Sequence, residues 1–360
     1  MGTQTALHQV HVDRAAKFVD FSGFRMPLHY GSMLGEHQVV RESAGMFDLS
    51  HISIIDVHGA RATHWLRIML SNDCIKLSDG QGMYSCLCKE DGGVVDDLLA
   101  FRLDENHYRF YVDSARREKD MAWLRGHIIR DVEVTEVTGN CIIAVQGPDA
   151  VCLATRALDA LGLPMAMAGM PRFSAQQNES LFISRTGYTG EDGVEITVPA
   201  AQAVDVWNSL AEQEVAPAGL GARDSLRLEA GFGLYGQDID ERHTPAESGI
   251  ARTIDINDDD RFFIGRDVVE DHKRFGGRFL QMGLVLEGQG LLRRGANVEL
   301  VGQPIGRITS GGYSPARAVS IGLARVTRSF TGSCDVTVKE RLQPARVTSV
   351  PFVPHGLARE

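Results

Sequence analysis

Two neighbouring carboxylates mark the first phrase of the sequence that could carry chemistry. In GGVVDDL (92–98), Asp96 and Asp97 stand side by side in a predicted strand. Neighbouring strand residues point to opposite faces, so only one of the two can face a given pocket. They therefore cannot act as a close carboxylate pair of the glycosidase kind. The flanking valines and leucines indicate burial, which demands a partner or a function for a carboxylate; the alternative is a pair of exposed residues near a turn.

A glycine-rich phrase with several acids is the second candidate. In RTGYTGEDGVEITVP (185–199), glycines surround Tyr188, and Glu195 lies on the strand that follows. Glycine lets a backbone turn tightly and approach a ligand closely. If Glu195 is buried, its carboxylate could accept a paired, charge-assisted hydrogen bond from a guanidine-like N–H/NH₂ edge. The alternative is an exposed glutamate on a strand.

The third phrase, GLGARDSLRLEAG (219–231), predicts a helix with two arginines. Arg223 and Arg227 are spaced i, i+4 and so share one helix face. One of them could point into a pocket and hold a carboxylate or carbonyl group. A surface helix with salt bridges is the alternative.

The elements that must position these residues are of mixed type. Strands at 83–89, 94–103 and 108–112, separated by the turns EDGG and DENH, predict a three-stranded meander that carries Asp97. After Gly276, short β-like runs alternate with glycine, proline and serine, which is typical of a small barrel. The sequence predicts an α+β fold with an all-β C-terminal barrel. Phosphate-binding patterns such as G-x-G-x-x-G are absent, which disfavours a doubly wound nucleotide fold.

Composition excludes several classes of protein. The chain of 360 residues is 43% hydrophobic and exceeds the size of a single core, so we expect two or three modules. A formal charge of −10 argues against a nucleic-acid-binding protein. No apolar run approaches the ~20 residues of a membrane span, and the N-terminal segment lacks the apolar core of a signal peptide. We therefore expect a cytoplasmic protein with no membrane partner.

Cysteine and histidine spacing does not indicate a metal site. The six cysteines include no C-x-x-C pair, and the twelve histidines include no H-E-x-x-H motif. The cysteines are expected to be reduced thiols. The sequence therefore predicts no bound metal.

Eight phrases together resemble the T-protein family of the glycine cleavage system. They occur in the family's order over nearly the whole chain: MPLHYGSMLGEHQVVRESAGMFDLSH (26–51), GGVVDDL, AVQGP (144–148), GYTGEDGVEI, GLGARDSLRLEAG, LYGQDID (234–240), FIGRDVV (263–269) and SGGYSPA (310–316). The resemblance implies a multi-domain fold around a central folate cavity. It assigns 1–50 and 138–255 to a first, folate-binding domain, 51–137 to a second, interleaved domain and 277–360 to the barrel, with 256–276 as the connection.

The resemblance also implies an activity. An aminomethyltransferase would receive an aminomethyl group on the lipoyl arm of the H-protein. Tetrahydrofolate, the one-carbon acceptor, would take the carbon to become 5,10-methylenetetrahydrofolate, and ammonia would leave.

Carried over position by position, the resemblance implies a set of site residues. Asp97 matches the family's key acid near the reacting nitrogens of the folate, Glu195 the glutamate that binds the pterin edge, and Arg223 an arginine at the cavity. Pocket-lining positions fall at Tyr188, Tyr84 and Met83. A tyrosine that the family often has near its C-terminus is absent from VPFVPHGLARE (350–360).

Three other functions are alternatives to this interpretation of the sequence. A folate-dependent demethylase acting on an N- or S-methyl substrate would share the fold and the folate but not the H-protein. The second is a non-catalytic folate-binding relative involved in iron–sulfur maintenance. That group carries the phrase K-G-C-[YF]-x-G-Q-E, which is absent from this chain, where the corresponding residues are GLYGQDID (233–240). The concentration of glycines and acids argues against a plain interaction protein.

Overall fold

A computed structural model describes residues 2–113, 115–327 and 329–354 of the chain. The α-helices among these residues are α1 (His8–Asp13), α2 (Met33–Glu42), α3 (Ala62–Met69), α4 (Arg117–Gly126), α5 (Ala150–Ala160), α6 (Ala203–Glu212), α7 (Leu220–Glu229) and α8 (Arg266–Phe275). Short 3₁₀ turns occur at Cys74–Lys76, Ala200–Gln202 and Ala251–Thr253.

The strands of the same residues are numbered in chain order. They are β1 (Lys17–Phe21), β2 (Phe24–His29), β3 (Gly45–Asp48), β4 (Ile52–His58), β5 (Gly82–Cys88), β6 (Val94–Asp104), β7 (His107–Asp113), β8 (Glu133–Val137), β9 (Asn140–Gln146), β10 (Ala175–Gln177), β11 (Phe182–Ser184), β12 (Gly193–Pro199), β13 (Ala216–Pro217), β14 (Leu280–Leu286), β15 (Asn297–Leu300), β16 (Gln303–Ser314), β17 (Val319–Val326), β18 (Ser333–Val338) and β19 (Arg341–Thr348).

A six-stranded sheet runs in the order β10-β11-β12-β9-β3-β13 and is antiparallel except for the β3–β13 pair. One of its faces is covered by α5 and α6. Their spacing of apolar residues places Ala154, Trp207 and Leu210 against Ile143 and Val198 of the sheet. Helix α7 packs Ala222 and Leu226 among the buried residues of a separate cluster that includes Phe47 and Ala144.

A five-stranded antiparallel sheet, β5-β6-β7-β4-β8, contains the predicted meander β5-β6-β7, which is thereby confirmed. Helices α3 and α4 cover one face, where Trp65 and Leu124 join Ile55 and Phe110 in a buried cluster. The two sheets meet through Tyr111, whose hydroxyl lies 2.8 Å from Oγ1 of Thr197.

The C-terminal strands close into a barrel in the order β14-β17-β16-β15-β18-β19, with β19 pairing back to β14. The prediction of an α+β fold with an all-β end is confirmed. Strands of the first sheet come from within 1–50 and 138–255, and those of the second from within 51–137. The domain boundaries themselves stay predictions, and residues 355–360 of the predicted barrel range lie outside the described residues.

In the described ranges, no helix is both long and apolar enough to cross a lipid bilayer.

Candidate functional site

A cavity of about 800 Å³ lies between the two sheets and is bounded by α7. It receives side chains from all three candidate phrases: Asp97 from β6, Tyr188 and Glu195 from the glycine-rich turn and β12, and Arg223 from α7. A cavity of this size matches small-molecule sites, which occupy roughly 300–1,000 Å³. Residues more than 120 positions apart in the chain therefore line one concave space.

Two glycines fix the backbone of segments that line this space. Gly190, in the turn before β12, has φ 84°, a left-handed conformation that strains any residue with a Cβ. A Cβ on Gly219 would overlap the carbonyl of Leu28, so the start of α7 can lie against β2 only because Gly219 has no side chain.

Asp97 is held by a neighbouring tyrosine. The hydroxyl of Tyr84 donates a hydrogen bond of 2.6 Å to Oδ2 of Asp97. Burial raises the pKa of Asp97 to about 6, although the bond from Tyr84 works against that rise. Above pH 6 the carboxylate is therefore mainly ionised and carries a negative charge into the cavity.

Asp96 has a different environment from Asp97. Its carboxyl interacts with that of Asp120 on α4, and burial raises its pKa well above the usual range. Burial also raises the pKa of Asp120 to about 7. Across the described chain, no hydrogen-bond donor reaches the four oxygens of these two acids. The two can be buried together only if they share a proton.

Glu195 is half-buried in the cavity wall. Its Oε2 accepts a hydrogen bond of 2.6 Å from Oγ1 of Thr186. One bond leaves most of the acceptor capacity of the carboxylate unused. Glu195 is therefore able to receive two parallel N–H donors from a ligand.

The two arginines of α7 take different roles. Arg227 is buried and donates hydrogen bonds to Asp224, Asp238 and Ser310, which makes it part of the protein's own framework. Arg223 stacks over the Tyr188 ring at 4.7 Å, and its buried Nη1 has no hydrogen-bond partner in the ranges that the structure describes. An unpaired buried guanidinium nitrogen is costly, which indicates that a ligand acceptor completes it.

Aromatic and cationic groups that the sequence did not single out complete the cavity. Phe232 stacks on Tyr188 with ring centroids 5.6 Å apart, and the guanidinium of the exposed Arg252 lies 5.3 Å from the Tyr84 ring centre. His51 lines the cavity, and burial lowers its pKa to about 4, which keeps it neutral. His51 ends the first family-like phrase, a signal that could have identified it, whereas Arg252 lies in no distinctive phrase.

Met83 is placed differently from the expectation. It does not line the cavity but is buried, 5% exposed, with Trp65 and Leu98 beneath the five-stranded sheet. Its neighbour Tyr84 faces the cavity, and adjacent residues of a strand face opposite sides. The expectation that both residues line the pocket is therefore corrected for Met83.

Family models cover most of the chain. The model described as "GCVT N-terminal domain" matches residues 7–258, and the "Glycine cleavage T-protein C-terminal barrel domain" matches residues 280–354.

Individual proteins are similar over their full length. An aminomethyltransferase of Xanthomonas axonopodis pv. citri is 44% identical, with 100% of this chain and 98% of the relative covered. One of Legionella pneumophila is 43% identical, with 99% of each covered. The crystal structure of glycine cleavage system aminomethyltransferase T from Bartonella henselae has a TM-score of 0.92 at 31% identity and covers 98% of this chain and 99% of its own.

Proposed function

Because this chain belongs to the glycine cleavage T-protein family, we propose that its central cavity is where tetrahydrofolate accepts a one-carbon unit from the lipoyl arm of the H-protein. The chain is an aminomethyltransferase of the glycine cleavage system, a folate-dependent enzyme. The observation that supports this use of the cavity most directly is the convergence of Asp97, Glu195 and the unpaired Arg223 on one space.

Glu195 is proposed to orient the pterin ring. The pterin presents an N–H and an NH₂ group side by side, and a carboxylate can accept from both at once. The single bond that Glu195 receives from Thr186 holds the carboxylate in the wall without saturating it. Tyr188 and Phe232, whose rings are stacked, offer an apolar surface beside it.

Arg223 is proposed to bind an oxygen of the folate. A carbonyl or carboxylate acceptor would supply the partner that Nη1 lacks among the described residues. Stacking on Tyr188 fixes the plane of the guanidinium and so preorganises it for that bond.

Asp97 is proposed to stabilise positive charge in the transfer. N5 of tetrahydrofolate attacks the methylene carbon, the two bonds from that carbon to sulfur and to nitrogen break in turn, and N10 closes the ring. The N–H protons of N5 and N10 go to the lipoyl sulfur and to the departing ammonia. An iminium cation forms on the way, and the fixed carboxylate of Asp97 favours it electrostatically. N5 is already nucleophilic, so Asp97 is not required to abstract its proton.

The test is a reconstituted assay with aminomethylated H-protein and tetrahydrofolate that records ammonia and methylenetetrahydrofolate together. We expect equal amounts of both products, each dependent on the H-protein. Asp97→Asn should bind folate with nearly the parent affinity and lose turnover by roughly 10²-fold or more, the effect of one preorganised electrostatic group. Unchanged turnover of this variant would remove Asp97 from its role.

The same assay separates the demethylase alternative. A demethylase would transfer the methyl group of an N- or S-methyl compound to N5 of tetrahydrofolate, giving 5-methyltetrahydrofolate without H-protein and without ammonia. For the H-protein itself, we propose docking through a local basic patch, although the chain as a whole carries a formal charge of −10. Association should then weaken as salt is raised, and salt-insensitive binding would contradict this mode of docking.

A further inference from the structure

Three potential metal ligands meet at the end of the five-stranded sheet that is remote from the cavity. Asp56 and His58 lie near the end of β4, and His107 begins β7. The pairing of the two strands sets His58 opposite His107 and Asp56 opposite Arg109. One nitrogen or oxygen atom from each of the three ligands lies within 4.8 Å of the other two.

We propose that Asp56, His58 and His107 bind a divalent transition-metal cation, with Zn²⁺ as the reference ion. Two imidazole nitrogens and one carboxylate oxygen form a donor set that suits zinc and its neighbours in the first transition row. The site lies on the surface of a sheet, and its residues take no part in the cavity.

The distances between the donor atoms fit one shared ion. Nε2 of His107 lies 3.0 Å from Oδ2 of Asp56, and Nε2 of His58 lies 3.9 Å from the same oxygen. Ligand atoms of a tetrahedral zinc site with bonds near 2.0–2.1 Å are separated by about 3.3 Å. The two observed distances bracket this value, and all three donor atoms lie within 4.8 Å of one another.

His107 directs a ring nitrogen at the carboxylate of Asp56. Its Nε2 is buried and lies 3.0 Å from Oδ2 of Asp56, the contact that a shared cation would replace. The rings of His58 and His107 lie 3.8 Å apart, and the Nε2 atom of each faces Oδ2 of Asp56. A neutral imidazole nitrogen in this position has a lone pair to offer to a cation.

Arg109 positions the carboxylate. Its Nε donates to Oδ1 and its Nη2 to Oδ2 of Asp56, both at 2.8 Å. Hydrogen bonds from an outer residue commonly hold a metal-binding carboxylate in place, and each oxygen keeps a second lone pair for the ion. The positive charge of Arg109 opposes the cation, so binding is weaker than in a closed site of four protein ligands.

Access from solvent is provided by His58, whose side chain is 42% exposed, while that of Asp56 is 7% exposed. With three protein ligands, the ion retains one position for water, as in open zinc sites. The cavity residues His51 and Asp113 flank the opposite end of the same strands, six residues or about 20 Å away. The proposed site is therefore separate from the folate cavity.

The experiment is a calorimetric titration of the untagged, EDTA-treated full chain with ZnCl₂. We expect one Zn²⁺ per chain, with affinity reduced at least tenfold in both His58→Ala and His107→Ala, since loss of even an outer-shell partner costs about 10–100-fold. His64→Ala, at an exposed position on α3, is the matched control and should bind as the parent does. Far-UV circular dichroism and thermal unfolding confirm that each variant is folded.

A second readout uses Cu²⁺ and electron paramagnetic resonance. Coordination by imidazole nitrogens should appear as nitrogen splitting in the parent spectrum and be lost in the double variant His58→Ala/His107→Ala. If the parent binds no Zn²⁺, or if the double variant binds it as tightly as the parent, the proposal is overturned. These measurements do not involve folate or the H-protein, so their outcome is independent of the proposed function.

Discussion

At the scale of single residues, the cavity differs from an ordinary surface cleft in the pKa and the hydrogen bonding of Asp97. Burial raises the pKa of its carboxyl group to about 6, and the carboxylate accepts a hydrogen bond from the Tyr84 hydroxyl. Because the bond from Tyr84 favours the ionised form, Tyr84 keeps Asp97 charged near neutral pH. This pairing gives the tyrosine a role that its position on the strand did not reveal.

Removal of that hydroxyl should shift the pH dependence of the enzyme. In Tyr84→Phe the hydrogen bond that lowers the pKa of Asp97 is lost, so the pKa rises from about 6. The acid limb of kcat/KM, which reports groups of the free enzyme, should move to higher pH. The measurement is a pH–rate profile from pH 5 to 9 in the reconstituted assay. An acid limb at the parental position would show that Asp97 does not govern it.

Glu195 is predicted to contribute to folate affinity. Glu195→Ala should weaken tetrahydrofolate binding by about 1.5–3 kcal/mol, the scale of hydrogen bonds to a charged group. Isothermal titration calorimetry under anaerobic conditions measures the change. Glu179→Ala, an exposed glutamate ahead of β11, is the control and should leave the affinity unchanged. Equal affinities of the parent and Glu195→Ala would exclude a contact between Glu195 and the ligand.

Among the elements, the contact of β6 with α4 has an unusual composition. It buries the carboxyl groups of Asp96 and Asp120 against each other. Lys119 lies next to Asp120 in the chain and is engaged elsewhere, donating to the carbonyl of Val95, to Tyr235 and to Glu241. Among the described residues no cation donates a hydrogen bond to the two acids, so the pair depends on a retained proton.

The free energy of unfolding should depend on pH because of this acid pair. Burial raises the pKa of Asp120 to about 7 in the folded chain, above the ordinary aspartate value of 3.8. Between these pH values the folded state binds more protons, so stability falls as pH rises, by up to about 1.4 kcal/mol per pH unit for one proton. Asp120→Asn should reduce this slope in urea unfolding from pH 4 to 7 and leave the part that the buried Asp96 contributes. Glu118→Gln, an exposed change on the same helix, should retain it.

At the scale of the whole molecule, Glu229 joins three parts of the chain. Its Oε2 pairs with Arg41 of α2 at 2.7 Å, and its Oε1 accepts from Ser314 and from the Ala316 N–H of the barrel. Arg41 in turn pairs with Glu191 in the glycine-rich turn at 2.8 Å. A fully buried acid at the end of α7 thus connects α2, through it the cavity turn, and the barrel.

Loss of this charge should destabilise the assembly of the three parts. Burial opposes ionisation of Glu229, but bonds from His37, Ser314 and Arg41 outweigh it and lower the pKa to about 2. Its contribution is therefore complete above pH 4.5 and is lost as the pH falls toward 2. Glu229→Gln should cost about 3 kcal/mol at pH 7, as for a broken buried ion pair. Urea unfolding should show this cost shrinking toward pH 3, and the exposed Glu42→Gln on α2 is the control. A cost that does not change with pH would contradict the role of the charge.

Local patterns in the sequence were sufficient for the elements that carry the chemistry-bearing phrases and for the barrel. Alternation and turn residues predicted the meander that carries Asp97, and even spacing of short strands predicted the barrel, because these signals depend on neighbours in the chain. The same alternation explains why Tyr84 faces the cavity and Met83 does not, but the sequence could not say which face is the cavity. The order of the phrases along the chain indicated the family.

Only the tertiary structure decided which side chains meet. It separated Arg223, with its unpaired nitrogen, from Arg227, which binds Asp238 and Ser310. It joined Asp96 to Asp120 on a later helix, and it placed His58 beside His107, which no spacing in the sequence had indicated. The physical reason is that burial, pKa and pairing arise from contacts between residues far apart in the chain. Residue types and local periodicity specify elements, whereas strand pairing and packing determine the partners of each charge.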